Sequence, residues 1–153
     1  MRERHRGITL IELVVAITIV AIAATTIMGV LGTVASRSAD AMMQQQAIAI
    51  AGSYLDEIMQ RWIVDPSDPS GALPNTGRGN WDRVDEYNGL ADVGAHDQFG
   101  NPIAGLSAYN VSVVTSQSSA LTGVPAAATR RIDITVSYAP SRSVTVSGYR
   151  TNY

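Results

Sequence analysis

The chain has 153 residues, a formal charge of −2 and no cysteine. That length suffices for one modest domain plus a long helix, and the lack of Cys excludes a disulfide framework or a thiolate metal site. All basic residues are Arg, with no basic cluster beyond Arg2, Arg4 and Arg6, which argues against nucleic-acid binding. His5 and His96 stand alone, so no histidine-based catalytic or zinc constellation forms.

The arginine-rich head ends in Gly7, and from Leu13 to Ser36 there is no charged residue. As a helix this run covers roughly 35 Å, against a hydrocarbon core of about 30 Å. It is apolar on all sides, as a helix surrounded by lipid or other helices must be. The arginines precede it, so the positive-inside rule places Met1 in the cytoplasm. A secretory signal would have a shorter apolar region and a cleavage site after it. An uncleaved signal anchor fits the length but leaves Glu12 unexplained, because a carboxylate inside a membrane helix is costly and calls for a partner. Snorkelling of Glu12 to the nearby interface is the plainer alternative.

Gly7-Ile8-Thr9-Leu10-Ile11-Glu12-Leu13, after a short basic leader and before a long apolar run, resembles the processing site of the prepilin family. That family comprises type IV pilins and type II secretion pseudopilins. The resemblance implies a type IV pilin-like α+β fold, a long N-terminal helix on a small antiparallel sheet. It also implies cleavage between Gly7 and Ile8 by a prepilin peptidase and N-methylation of Ile8, which stands where Phe or Met is commoner. Removing residues 1–7 would take the charge from −2 to −4. Glu12 matches the family's assembly glutamate; its partner would be the cationic α-amino group of Ile8 on a neighbouring subunit. Two such charges attract strongly in low dielectric, and each alone is expensive. The implied partners are the peptidase, other minor and major pilins, an inner-membrane assembly platform and the bilayer. The implied place is the bacterial inner membrane, single-pass, with the head in the periplasm or on an extracellular pilus.

Within the span, Gly29 and Gly32 are read either as local loosening of the helix or as small-residue packing positions. From Ser36 to about Ile63 the pattern turns amphipathic, with Ile48, Ala51, Leu55, Ile58, Met59 and Trp62 on one stripe. Asp56, Glu57, Gln60 and Arg61 are assigned to wetter positions, and Met42-Met43 to core filling. One helix is therefore expected from about Thr9 to Trp62, ended by the prolines of Asp65-Pro66-Ser67-Asp68-Pro69. The resulting division is 1–7 leader, 8–35 membrane or filament-core helix, 36–63 amphipathic continuation, 64–108 variable loop and 109–153 antiparallel sheet.

In the loop region, residues 81–90 read as a short helix or turn. Its acidic residues, Asp82, Asp85 and Asp92 foremost, are weak calcium candidates, since hard cations take carboxylate oxygens. No EF-hand spacing is present and acidic turn formers are usually solvated, so no cofactor is expected. Tyr109–Thr115, Arg131–Tyr138 and Ser143–Tyr149 alternate with period two, the last two joined by a turn at Ala139-Pro140-Ser141-Arg142. One apolar face per strand predicts a three- or four-stranded sheet covered on one side by the helix.

The segments 51–58, 82–90 and 130–153 resemble the D-type minor pilins of mannose-sensitive haemagglutinin (MSHA) pilus systems. Tyr54, Leu55 and Ile58 are then assigned to the packing face, and Asp85-Glu86-Tyr87 to ordering the loop. The reading is a minor pilin-like structural subunit, not an enzyme, that helps initiate or cap a pilus. Three readings compete with it: a minor pseudopilin of a type II secretion system, a signal-anchored periplasmic binding protein, and a tethered hydrolase using the acidic loop.

Overall fold

The computed structural model describes residues 9–64, 77–139 and 141–152, with backbone only at 33, 35 and 36. The leader, the proline-rich stretch from Asp65 and Pro140 lie outside the described residues. Helix α1 spans Leu10–Met59, and the chain divides into two compact units, Met1–Met42 and Met43–Tyr153.

In the first unit every described side chain from Leu10 to Ala39 is exposed. The helix is long and apolar enough to cross a membrane by length and composition. Helical pairing continues through Gly29 and Gly32, and beyond the helix's own neighbouring backbone neither has an atom within 4 Å of where a Cβ would stand. Met42 is 62% exposed rather than core-filling.

In the second unit the helix lies on a four-stranded antiparallel sheet of order β1-β2-β3-β4. The strands are β1 Ala91–Asp92, β2 Asn110–Gln117, β3 Thr129–Ala139 and β4 Arg142–Thr151. The three expected strands are present: β3 and β4 run beyond both predicted ends, while β2 begins one residue later than predicted and ends two later. The fourth, β1, lies inside the region read as loop; two residues are too few to show alternation. Across the inner face, Val111, Val136 and Val144 stand in register, then Val113, Ile134 and Val146, then Thr115, Ile132 and Gly148. The β2 and β3 members are buried. Burying each Val or Ile contributes about 1.5–3 kcal/mol, so these rows dominate the head's cohesion. The third row closes because Gly148 has no side chain: a Cβ there would meet Leu55 Cδ1 at 2.8 Å.

The packing stripe of α1 is Ala47, Ile50, Ala51, Tyr54 and Ile58, at the three-and-four spacing of one helix face. This corrects the predicted stripe at both ends. Ile48 is 38% exposed and Trp62 50%. The helix also stops before Trp62. Its last turn tightens through Gln60 N–H to Glu57 O and Arg61 N–H to Ile58 O. Trp62 then bridges to the loop, its N–H donating to Asp82 O at 2.8 Å and its carbonyl accepting from Val84 N–H at 2.9 Å. Extended backbone pairing takes Trp62 out of the helix before any proline is reached.

Candidate functional site

Two groups of residues carry the functional reading, one at each end of α1. At the start, Thr9 acts as N-cap: the Glu12 N–H lies 3.4 Å from its Oγ1, and the Leu13 N–H donates to its carbonyl at 3.1 Å. A side-chain oxygen here satisfies one of the orphan donors of the first turn and contributes about 1 kcal/mol. The cap sets Glu12 in the first turn, exposed on an otherwise apolar surface. Gly7 and Ile8 lie outside the described residues.

Among the described side chains of the apolar stretch, three threonines are internally satisfied. Thr18 Oγ1 donates to Val14 O and Val15 O at 2.8 and 2.9 Å; Thr25 donates to Ala21 O and Ile22 O, and Thr26 to Ile22 O. Back-bonding of this kind lets a threonine sit in hydrocarbon without an unmet donor. Glu12 has no such local remedy for its charge.

At the far end of α1, the head is tied together through Arg78. Its side chain is 5% exposed. One nitrogen donates to Asp92 Oδ2 at 2.7 Å, another to Glu57 Oε2 at 3.2 Å. The guanidinium carbon stands 4.7 Å from the Tyr54 ring centroid and 5.9 Å from that of Tyr87, within cation–π range. Tyr54 OH donates to Asp92 Oδ2 at 2.7 Å and accepts from His96 N–H at 2.8 Å; Tyr87 OH donates to Glu57 Oε1 at 2.7 Å. Helix, loop and the short edge strand therefore meet on one cation. Burial raises the Tyr54 hydroxyl above its ordinary value. Burial and the Glu57 hydrogen bond push the Tyr87 hydroxyl up to about 12. Burial opposes charge on Arg78, but Tyr54 and Glu57 outweigh it and hold the guanidinium above its usual value.

Beside this network lies an open groove of about 550 Å³, lined by Ser53, Glu57, Arg61 and His96 among others. Ser53 Oγ donates to Ile50 O at 3.0 Å, and His96 Nδ1 stands 3.0 Å from Gly94 O, which can only accept. Hydroxyl and imidazole are thus engaged with backbone rather than with each other; Glu57 is held by Arg78 and Tyr87, and Asp97 accepts from the N–H groups of Phe99 and Asn101. The arrangement is that of a structural tie.

The calcium candidates are dispersed. Asp92 is bound to Arg78 and Tyr54. Asp85 accepts a two-pronged bond from Arg130 at 2.7 and 2.9 Å, and the Asp82 side chain is half exposed, 3.9 Å from Arg83 Nε. No group of three or more His, Asp or Glu positioned for a metal occurs among the described residues. The segment Asp85-Glu86-Tyr87 forms a 3-10 turn, Val84–Tyr87, that orders the loop as expected. Glu86 Oε2 accepts from the N–H groups of Asp82 and Arg83 at 2.8 Å each, Asp85 ties the turn to β3, and Tyr87 ties it to α1. Glu57 corrects its assignment to a wet position: its side chain is 14% exposed and shared between Arg78 and Tyr87. Arg78 escaped the sequence reading altogether. An arginine between two glycines carries no periodicity; its long-range partners exist only in the fold.

Residues 2–28 match the family model described as the prokaryotic N-terminal methylation motif. The chain matches no curated protein and no solved structure. The motif match, with one long helix packed on a four-stranded antiparallel sheet, supports a type IV pilin-like chain. The motif implies processing by a prepilin peptidase and assembly with other pilins. Motif and apolar helix together point to membrane anchorage.

Proposed function

We propose that the chain is a minor pilin-like subunit of a type IV pilus of the MSHA type. It would enter the inner membrane with Met1 cytoplasmic and the head periplasmic, and the peptidase would cut between Gly7 and Ile8 and methylate the new amino terminus. The observation carrying the pilin-like part of this reading is the methylation motif at residues 2–28, running into a helix whose one acidic residue in the apolar stretch is Glu12; the MSHA type rests on the resemblance of segments 51–58, 82–90 and 130–153. Extraction into the filament would pair Glu12 with the Ile8 amine of a neighbour. That pairing removes the cost of two lone charges in low dielectric and selects one axial register. The head then serves as a part that initiates or caps assembly, held together by the Arg78 tie between helix, loop and edge strand.

A minor pseudopilin of a type II secretion system shares the same N-terminal motif. Copurification separates the two: MSHA-type minor pilins in the detergent-extracted complex support the pilus, and secretion-system pseudopilins in their place would overturn that assignment while leaving prepilin processing intact.

A further inference from the structure

Asn88-Gly89 is the one Asn-Gly pair in the chain. Asparagine is a labile residue, and most so before glycine, where no Cβ shields the next amide nitrogen. The turn demands that glycine: Gly89 takes φ +84, a conformation that other residues rarely adopt. The reaction open to the pair is ring closure. Gly89 N bonds to Asn88 Cγ, the Cγ–Nδ2 bond breaks, and the side-chain nitrogen leaves as ammonia with the amide proton. Water then opens the succinimide at either carbonyl, giving aspartate or isoaspartate. One water is consumed and one ammonia released, with nothing oxidised or reduced.

The fold seats this pair on β2. Asn88 Oδ1 accepts from Thr115 N–H at 3.0 Å, and Gly89 N–H donates to Val113 O at 3.0 Å. Val113 N–H donates in turn to Leu90 O at 3.0 Å. Residues 88–90 therefore continue the line of β1 along β2. Asn88 and Gly89 are both exposed. An open recess of about 260 Å³, lined by Asp85, Asn88, Thr115, Gln117 and Arg130 among others, has room for water beside them.

Two effects oppose each other in this geometry. The Thr115 N–H polarises the Asn88 carbonyl, which favours attack at Cγ. Against that, Gly89 N becomes a nucleophile only when its proton is lost, and that proton is held on Val113 O. Ring closure also requires Gly89 N to swing onto Cγ, while both groups are pinned to the same strand. The restraint wins, because it withholds the proton and blocks the approach together. We propose that Asn88 is a deamidation site gated by the edge of β2: it is silent while residues 88–90 are seated on the strand and reacts when they lift from it. Such local opening needs far less than global unfolding. The isoaspartate product keeps the edge open. It lengthens the main chain by one methylene, so Gly89 and Leu90 fall out of step with Val113.

The test compares the full-length chain in detergent, folded and unfolded in guanidinium chloride, incubated in the same mildly alkaline buffer and followed by peptide mapping of residue 88. In the unfolded chain Asn88 is expected to convert before any other asparagine. In the folded chain it should convert at least about tenfold more slowly. Hydrogen exchange gives an independent measure, since the opening that frees the Gly89 amide is the one that permits ring closure. The slowing should therefore match the protection of the Gly89 amide to within about threefold. Thr115→Pro withdraws the N–H that holds Asn88 Oδ1, and should speed conversion in the folded chain at least about threefold. If that variant fails to fold, Arg130→Gln, which frees Asp85 and the turn before Asn88, takes its place with the same expectation. The isolated isoaspartate product should lose protection at the Val113 amide. Equal rates in folded and unfolded chains, a slowing outside the range set by Gly89 protection, or an unchanged rate in the folded variant would each overturn the gate. Full protection of Val113 in the product would overturn the lasting opening.

Discussion

Arg78→Met is the substitution whose consequences can be followed furthest. It keeps a long side chain but removes the cation that joins Glu57, Asp92, Tyr54 and Tyr87. Glu57 and Asp92 side chains are 14% and 13% exposed, so both carboxylates are left largely desolvated. Breaking a buried pair costs about 3–5 kcal/mol when one partner stays behind charged. Two contributions pull in opposite directions here. Tyr87 still donates to Glu57 and Tyr54 to Asp92, which softens the loss; the cation–π contact at 4.7 Å disappears, which adds about 1 kcal/mol. The expected cost is about 3–4 kcal/mol at pH 7, or a fall in Tm of at least ~12 °C for a head of this size. The assay is denaturant and thermal unfolding of the full chain in detergent, followed by near-ultraviolet dichroism of the tyrosines and tryptophans. A loss below about 1 kcal/mol, the range of a surface pair, would refute the reasoning that Arg78 compensates buried charge.

Three other outcomes follow from the same structure. Tyr87 titrates at about 12 rather than 10.0 in the folded head; the raised folded value means its stabilising share is whole below pH 10 and is lost as pH climbs to 12. Tyr87 should contribute a drop of about 2–3 kcal/mol to an alkaline titration of stability across that window; Tyr87→Phe should remove that share and leave the loss from the raised Tyr54 hydroxyl. Gly148→Val drives a branched side chain into Leu55, 2.8 Å from where even a Cβ would stand; overpacking should cost about 1–3 kcal/mol, and Leu55→Ala in the same chain should recover most of it in equilibrium unfolding. Glu12→Gln preserves shape without charge; the leader should still be removed, while recovery of the subunit in sheared filaments falls at least tenfold against the membrane fraction.

What the sequence made legible depended on repetition. In β3, Ile132, Ile134, Val136 and Tyr138 recur at the strand period, and that face is the one turned to the helix. The amphipathic half of α1 was recognisable as helix, yet its stripe was displaced: Ile48 and Trp62 looked apolar and proved exposed, while Ala47 and Ile50 join the contact. Hydrophobicity alone cannot separate two faces when small residues approach closest to the sheet. The head's polar tie was illegible for a different reason. Glu57 and Arg78 lie 21 residues apart, and Asp85 and Arg130 lie 45 apart; no local pattern links such pairs. Asp85-Glu86-Tyr87 could be assigned to loop ordering, but its partners in α1 and β3 had to come from the fold. At the N-terminus the reverse holds. The Gly7-to-Leu13 motif is local, so the sequence alone points to its chemistry, while Gly7 and Ile8 lie outside the described residues.

The central claim is that this chain is a prepilin cut between Gly7 and Ile8. The most direct measurement is intact mass with N-terminal sequencing of the membrane-extracted protein, wild type against Gly7→Ala, in a host with an active prepilin peptidase. A wild-type chain beginning at Ile8 with one added methyl group, and a mutant retaining residues 1–7, is the predicted result. A wild-type chain that still begins at Met1 would contradict the account and leave an uncleaved membrane anchor in its place.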